Sequence, residues 1–165
     1  MRTAATASVG VQEKRRERRY PTNDPAEVRA FPFNADATPA NIVDVSRSGM
    51  KLELVAPLVR DARIEILMPF TKLTVLGEVR YCRKIGAVYH AGILIHDIVV
   101  PKPDVKHLHD DDLSLYVAGK GLSAAEVLRV EAHLSCCAAC KQRLVEITRT
   151  LYPLDGCRVK QEHRR

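Results

Sequence analysis

The chain contains no tryptophan, and aromatic residues make up only 5% of its 165 residues. A hydrophobic core is still available, because 46% of the residues are hydrophobic. With so few aromatic rings, that core must be built mainly from Val, Ile and Leu. A chain of this length has room for one ordinary domain or for two small ones.

Long apolar runs are also missing. No stretch approaches the roughly 20 apolar residues that span a bilayer, and the first ten residues, MRTAATASVG, lack the apolar segment of a signal peptide. The sequence therefore predicts a cytoplasmic protein without membrane association. In that compartment, we do not expect the five cysteines to form a disulfide framework. Three of them lie within residues 136–140, which favours metal binding.

The formal net charge is +6, but the body of the chain lacks an excess of either sign. Residues 20–157 carry 16 Lys and Arg against 17 Asp and Glu. The basic excess lies in EKRRERRY (13–20) and in the tail 158–165. Two basic ends on a neutral body are untypical of a nucleic-acid-binding face, so we consider nucleic acid an unlikely partner.

Recognisable catalytic patterns are absent as well. The sequence offers no Ser/His/Asp triad that can be placed, no glycine-rich phosphate loop, and no carboxylate pair that differs from ordinary surface charge. We therefore do not expect an enzyme.

Residues 26–98 read as short β-strands bounded by turn-forming residues. Met50, Leu52 and Leu54 alternate with Lys51 and Glu53, as in a half-buried strand. No helical pattern separates the segments, which predicts a small antiparallel barrel or sandwich of about six strands. The candidate strands are 26–33 (AEVRAFPF), 40–45 (ANIVDV), 50–55 (MKLELV), 62–67 (ARIEIL), 72–81 (KLTVLGEVRY) and 91–96 (AGILIH).

The sequence pattern changes from strands to helices at PKPD (101–104). Its two prolines end the last strand and predict a stiff linker. Beyond it, Ser123 and Glu126 have the spacing of a capping box, and Leu122 can pack on Val127. We expect that helix to run to about residue 134, with a further helix on each side of it. The preceding helix should begin at 110–112 and end at Gly119 or Gly121, and the following one carries an apolar stripe at 140, 144, 147 and 151.

One short motif precedes the first predicted strand, and another lies at the end of the second. Arg15 and Arg19 have the spacing R-x-x-x-R, and residues 44–49 (DVSRSG) read D-x-S-x-x-G. With the Arg-Arg-Tyr-Pro entry at 18–21 and a closing strand that carries Gly92 before Ile95, residues 14–98 resemble the PilZ family. Members of that family are receptors for the bacterial second messenger cyclic di-GMP.

The resemblance implies a ligand site made of Arg15, Arg19, Asp44, Ser46 and Gly49. An Arg fork can bridge the O6 and N7 acceptors of guanine, and a carboxylate can accept from its N1 and N2 donors. We expect both arginines to fold over the ligand from a flexible segment, and Gly49 to adopt a positive φ where the chain reverses.

The second constellation is H-x3-C-x2-C, formed by His133, Cys137 and Cys140. Tetrahedral zinc needs a fourth ligand, and His107 and His109 are both candidates. Cys136 is an extra thiol beside this set, either an alternative ligand or a redox-reactive group.

Residues 107–151 resemble the zinc-binding module of anti-sigma factors, a compact helical fold. In that module a ligand about 26 residues upstream completes the site, which favours His107. The resemblance implies one structural zinc ion held by His107, His133, Cys137 and Cys140. This chain ends soon after residue 151, without the additional helix or anchor that such factors commonly use, which leaves sigma-factor binding as an alternative.

Together these patterns predict an α+β protein of two small domains, a six-stranded antiparallel PilZ-like barrel and a three-helix zinc-binding module. The predicted boundaries are a disordered tail at 1–13, the barrel at 14–100, a linker at 101–106, the helical module at 107–152 and a basic tail at 153–165. The predicted function is cyclic di-GMP signalling, with the helical module contacting a protein partner. The alternatives are sequestration of a sigma factor and, less favoured, nucleic-acid binding by the basic ends.

Overall fold

The structure is a computed structural model, described here for residues 17–32, 36–100 and 107–153. The described residues form six strands followed by three helices. The strands are β1 (Tyr20–Ala30), β2 (Thr38–Val45), β3 (Gly49–Leu54), β4 (Arg63–Met68), β5 (Leu73–Ile85) and β6 (Val88–Val99), and the helices are α1 (Asp110–Ala118), α2 (Ala124–Cys136) and α3 (Ala138–Leu151).

The six strands form a closed antiparallel barrel in the order β1-β2-β3-β6-β5-β4. Alternate side chains of each strand point inward, as the period of two requires. On β3, for example, Met50, Leu52 and Leu54 are at most 2% exposed. The predicted architecture of a six-stranded antiparallel barrel followed by three helices is therefore confirmed.

The helix ends follow the local signals in the sequence. The Ser123 hydroxyl accepts a hydrogen bond from the Glu126 amide, and the Glu126 carboxylate accepts one from the Ser123 amide, so the capping box is present. Helix α1 ends at Gly119, whose φ of 73° lies in the left-handed region that glycine tolerates best. Helix α2 continues to Cys136, two residues beyond the predicted end.

Helix α2 packs directly on the barrel. Its buried face belongs to the same hydrophobic cluster as the barrel interior, through Leu122, Ala124, Ala125, Val127 and Leu128. At the start of the helix, the Asp24 carboxylate on β1 accepts a hydrogen bond of 2.5 Å from the Ala124 amide. A carboxylate at a helix N-terminus satisfies a free amide and complements the helix dipole. The helical part is thus anchored to the barrel by both apolar and polar contacts.

A second, smaller cluster holds the three helices together. It contains Leu108, Leu113, Val130, Leu134 and Cys140, with Leu144 and Ile147 packed against it. Helix α2 therefore has two buried faces, one toward the barrel and one toward α1 and α3.

The predicted linker 101–106, the predicted tail 1–13 and, apart from its first residue, the predicted tail 153–165 lie outside the described residues. The domain boundaries stay a prediction. The sequence patterns indicated two separable domains and gave no sign of the shared cluster between α2 and the barrel. Within the described residues, no helix combines the length and the apolar character that crossing a membrane requires.

Because Leu128 is 0% exposed in the cluster that α2 shares with the barrel, we expect it to couple the two parts in unfolding. Leu128→Ala should lower the free energy of unfolding by about 2–5 kcal/mol, as cavity-forming substitutions do. In urea titrations followed by circular dichroism, the strand and helix signals should shift together. The control Leu115→Ala, at a side chain that is 40% exposed, should change stability by only about 0.5 kcal/mol. Two transitions, with only the helical one shifted, would show instead that the parts fold independently.

Candidate functional site

The first candidate site is the connection between β2 and β3. Two hydrogen bonds fix this loop: the Ser46 amide donates to the Gly49 carbonyl at 2.7 Å, and the Ile95 amide of β6 donates to the Ser48 carbonyl at 2.8 Å. Ser46 itself is only 2% exposed. The loop is therefore held in one conformation by both its own hairpin and the neighbouring strand.

Gly49 occupies the predicted position but for a different physical reason. We expected a positive φ here, yet Gly49 is not among the residues with positive φ in the described chain and lies at the start of β3. A Cβ atom at this position would come within 3.0 Å of the Ile93 carbonyl oxygen on β6. Close approach of two strands, rather than a left-handed backbone, is what favours glycine here.

Arg19 and Asp44 form an ion pair beside this loop. The Arg19 Nη1 lies 2.5 Å from Asp44 Oδ1, and the two side chains are 35% and 22% exposed. The pair joins the segment before β1 to the end of β2. Arg15, the other arginine of the R-x-x-x-R motif, lies outside the described residues.

Glu17, which the sequence analysis did not single out, binds the same loop. Its Oε2 accepts hydrogen bonds from the Ser48 hydroxyl at 2.7 Å, the Ser48 amide at 3.0 Å and the Ser46 hydroxyl at 3.3 Å. These donors, led by the Ser48 hydroxyl, lower the pKa of Glu17. The loop thus presents a set of donors suited to an anion, and Glu17 occupies them.

Arg18, which the sequence analysis placed in the Arg-Arg-Tyr-Pro entry without a contact of its own, points away from the loop toward the helices. Its guanidinium donates to the carbonyl oxygens of Val117 at 2.5 Å and Ala118 at 2.9 Å, in the last turn of α1. It also lies 5.6 Å from the centre of the Tyr20 ring, which stacks on Tyr116 at a centroid distance of 5.1 Å. The basic entry segment is therefore in contact with both the barrel loop and helix α1.

A cavity of about 430 Å³ opens next to the loop. It lies between the loop, the end of β6 and the last turns of α2. Its lining comprises Arg47, Ser48, Ile95, His96, Asp97, Ile98, Glu131, Ala132 and Ser135. The barrel and helix α2 both contribute walls to this recess.

The second candidate site lies where the three helices meet. One ligand atom from each of His107, His133, Cys137 and Cys140 falls within 4.8 Å of the other three. The His107 Nδ1 is 3.5 Å from the Cys137 sulfur and 3.6 Å from the Cys140 sulfur. Tetrahedral zinc with bonds of about 2.0–2.3 Å places its ligand atoms roughly 3.3–3.8 Å apart. Both distances from His107 fall within this range.

An unpaired polar atom also fits a metal at this position. The His133 Nε2 is buried and has no hydrogen-bond partner among the described residues. A buried imidazole nitrogen without a partner is costly unless something else binds it. A metal ion would supply that partner.

Hydrogen bonds from neighbouring residues stabilise the region around the two cysteines. The Leu108 amide lies 3.4 Å from the Cys140 sulfur and donates to it, and Arg143 binds both the Leu108 carbonyl and the Asp110 carboxylate. The backbone amide of Cys140 lowers the pKa of the Cys137 thiol, which favours the thiolate that ligates metal.

The structure distinguishes His107 from His109 as the candidate fourth ligand, and it gives the position of Cys136. His107 is gathered into the cluster, whereas His109 is the residue that precedes α1 as its N-cap. Cys136 is exposed, and its thiol donates to the carbonyl oxygens of Ala132 and His133 in its own helix. The ligand set of four residues stays a prediction.

Family models match both parts of the chain. A PilZ domain model matches residues 13–102, and a zinc-finger model matches residues 110–141. Since the first match covers more than half of the 165 residues, the chain belongs to the PilZ domain family. Neither of the matching models describes an enzyme. A comparison with curated proteins finds no match.

Solved structures of similar fold include PilZ proteins. The PilZ domain of YcgR from Escherichia coli with c-di-GMP has 15% identity and a TM-score of 0.41, over 52% of this chain and 79% of that one. The K. pneumonia MrkH complex with c-di-GMP has 18% identity and a TM-score of 0.45, over 79% and 57%. The inhibitor of motility MotI/DgrA from Bacillus subtilis has 12% identity and a TM-score of 0.40, over 53% and 44%.

Proposed function

We propose that the protein is a receptor for cyclic di-GMP rather than an enzyme. The observation that carries this proposal is the meeting of Arg19, Asp44 and Ser46 at one anion-accepting loop of a PilZ barrel. The YcgR and MrkH structures to which this chain is similar are named as structures with this nucleotide.

The chemistry of the three side chains suits a guanine nucleotide. Arg19 can donate two parallel hydrogen bonds to the O6 and N7 edge of guanine, and Asp44 can accept from its N1 and N2. In the free protein, these two side chains satisfy each other at 2.5 Å. A guanine base that offers acceptors and donors on adjoining edges can replace the ion pair without leaving either charge unpaired. Arg15, which comes four residues before Arg19, would supply a further guanidinium.

We propose further that His107, His133, Cys137 and Cys140 hold one structural zinc ion. Four protein ligands would close its coordination sphere, so the ion would stabilise the helices rather than carry out chemistry. A module of fewer than 50 residues buries little apolar surface, and a metal commonly compensates for that.

The helical module is the part that we expect to contact a protein partner. Helix α3 carries exposed apolar side chains at Val145 and Leu151, each 48% exposed, and Tyr152 follows at 56%. The resemblance of residues 107–151 to the zinc-binding module of anti-sigma factors makes a sigma factor the alternative partner, and the zinc-finger match at residues 110–141 agrees with such a module. Co-purification of a sigma factor with the full-length chain would favour that alternative.

Arg19→Ala tests the nucleotide site. The substitution removes a charge-assisted contact, and we expect a loss of about 1.5–3 kcal/mol, or roughly ten- to more than a hundredfold in affinity for cyclic di-GMP. The measurement is isothermal titration calorimetry on the purified protein. Arg29→Ala, which removes an exposed arginine 3.9 Å from Glu65 on the barrel wall, is the matched control and should leave affinity unchanged. If both substitutions weaken binding equally, the cause would be the general positive charge of the protein and not a specific contact of Arg19.

Cys140→Ser tests the metal site. Elemental analysis of protein purified without a histidine tag should give about one zinc per chain, and Cys140→Ser should lose that metal together with part of the helical signal, that of α1 and α3, while α2 stays packed on the barrel. Cys136→Ser should keep the metal, because its thiol bonds within α2 and is not one of the four gathered ligands. His107→Ala and His109→Ala form a second matched pair, of which only the first should lose zinc. Stoichiometric zinc in Cys140→Ser, or loss confined to Cys136→Ser, would refute this ligand set.

A further inference from the structure

Residues 17 and 18 are adjacent in the chain but bind two different parts of the molecule. Glu17 accepts three hydrogen bonds from the loop between β2 and β3, through Ser46 and Ser48. Arg18 donates two hydrogen bonds to the end of α1, at Val117 and Ala118. Because neighbouring Cα atoms are only about 3.8 Å apart, a large displacement of one residue moves the other.

The Glu17 carboxylate occupies donors that a phosphate group would also use. A backbone amide and serine hydroxyls are common ligands of phosphate oxygens. The Ser46 hydroxyl is also within 3.2 Å of the Gly49 carbonyl, so its single proton is shared between two acceptors and is available to a stronger one. Two anions cannot occupy the same donors, which makes Glu17 an internal competitor of an anionic ligand.

Helix α1 depends on Arg18 for a cation at its C-terminus. The last turn of a helix leaves carbonyl oxygens without partners, and a positive charge there is stabilising. Helix α1 has no basic residue in its own last turn. Arg18 supplies the charge from 99 positions earlier in the chain, and a Cβ atom at Gly119 would lie 2.1 Å from its Nη2. The glycine that ends α1 therefore also leaves room for this arginine.

Aromatic contacts extend the connection to α2. Tyr20, which follows Arg18 by two residues, stacks on Tyr116 of α1. The Tyr116 hydroxyl donates to the Glu131 carboxylate of α2, and Glu131 lines the cavity beside the loop. The entry segment is therefore continuous with the packing of both helices.

We propose that Glu17 holds the phosphate position of the nucleotide site in the free protein, and that its displacement by the nucleotide withdraws Arg18 from helix α1. This proposal rests on the proposed function, since cyclic di-GMP supplies the displacing phosphate. Occupancy of the barrel site would then loosen the end of α1 in the helical module. By thermodynamic linkage, anything that stabilises the contact of Arg18 with α1 weakens nucleotide binding.

The first test measures affinity. Glu17→Gln keeps the shape of the side chain and removes its charge, so calorimetry should show binding of cyclic di-GMP that is tighter by about fivefold or more, at the lower end of typical coupling between sites. Glu65→Gln makes the same charge change on β4, away from the loop, and should leave affinity unchanged. Wild-type protein that binds with the same affinity as Glu17→Gln would overturn this inference but not the proposed function. If neither protein binds cyclic di-GMP, both this inference and the proposed function are wrong.

The second test measures amide hydrogen exchange at the end of α1 in the full-length, metal-loaded protein. In the wild type, cyclic di-GMP should speed exchange at Gly119, whose amide bonds to the Leu115 and Tyr116 carbonyls. In Arg18→Ala, exchange there should already be fast without nucleotide and should not change on addition, while affinity is equal or higher. Unchanged exchange in the wild type would overturn the link to α1. A tenfold loss of affinity in Arg18→Ala would show that Arg18 is a ligand contact instead.

Discussion

The packing of helix α2 against the barrel determines where the other two helices lie relative to the barrel. Leu128 and its neighbours enter the barrel cluster, and Asp24 binds the first amide of the helix, so α2 is fixed in both position and direction. The opposite face of α2 then carries Val130 and Leu134, on which α1 and α3 assemble. Without this contact, the end of α1 would not lie beside the entry segment, and α2 would not form a wall of the cavity next to the loop. The apolar packing of α2 on the barrel therefore also brings the polar groups of the two parts into contact.

The features that could be predicted from the sequence are those that depend on residues close together in the chain. Alternation along β3 indicated which face is buried, and the Ser123 and Glu126 spacing located the start of α2. The cluster of two histidines and two cysteines could be predicted for a similar reason. Three of its members lie at a single helix junction, so their spacing alone brings them to one turn. His107 needed the resemblance to a family, because its distance of 26 residues from His133 does not by itself distinguish it from His109.

The features that could not be predicted depend on contacts between distant residues. Arg18 reaches the α1 carbonyls across about 100 positions, and nothing in an arginine-rich run shows which arginine faces a helix end. The same applies to Glu17, one of two acids beside five bases in residues 13–20, which would normally be read as charge balance. The positive φ expected at Gly49 was wrong. A turn-like motif indicates a left-handed backbone, whereas the constraint here comes from the Ile93 carbonyl of a strand more than 40 residues away.

The charges around the loop place a limit on the ligands that it can accept. Donors from Ser46, Ser48 and Arg19 attract an anion, but the Asp44 carboxylate lies among them and repels one. A simple phosphate would leave Asp44 without compensation once Arg19 turned toward the phosphate. A guanine nucleotide has both a phosphate and a base edge with donors, so it can satisfy the loop and Asp44 at the same time. Under the proposed function, this mixture of one acid with several donors favours a ligand that carries both a phosphate and a base edge with donors over a small anion.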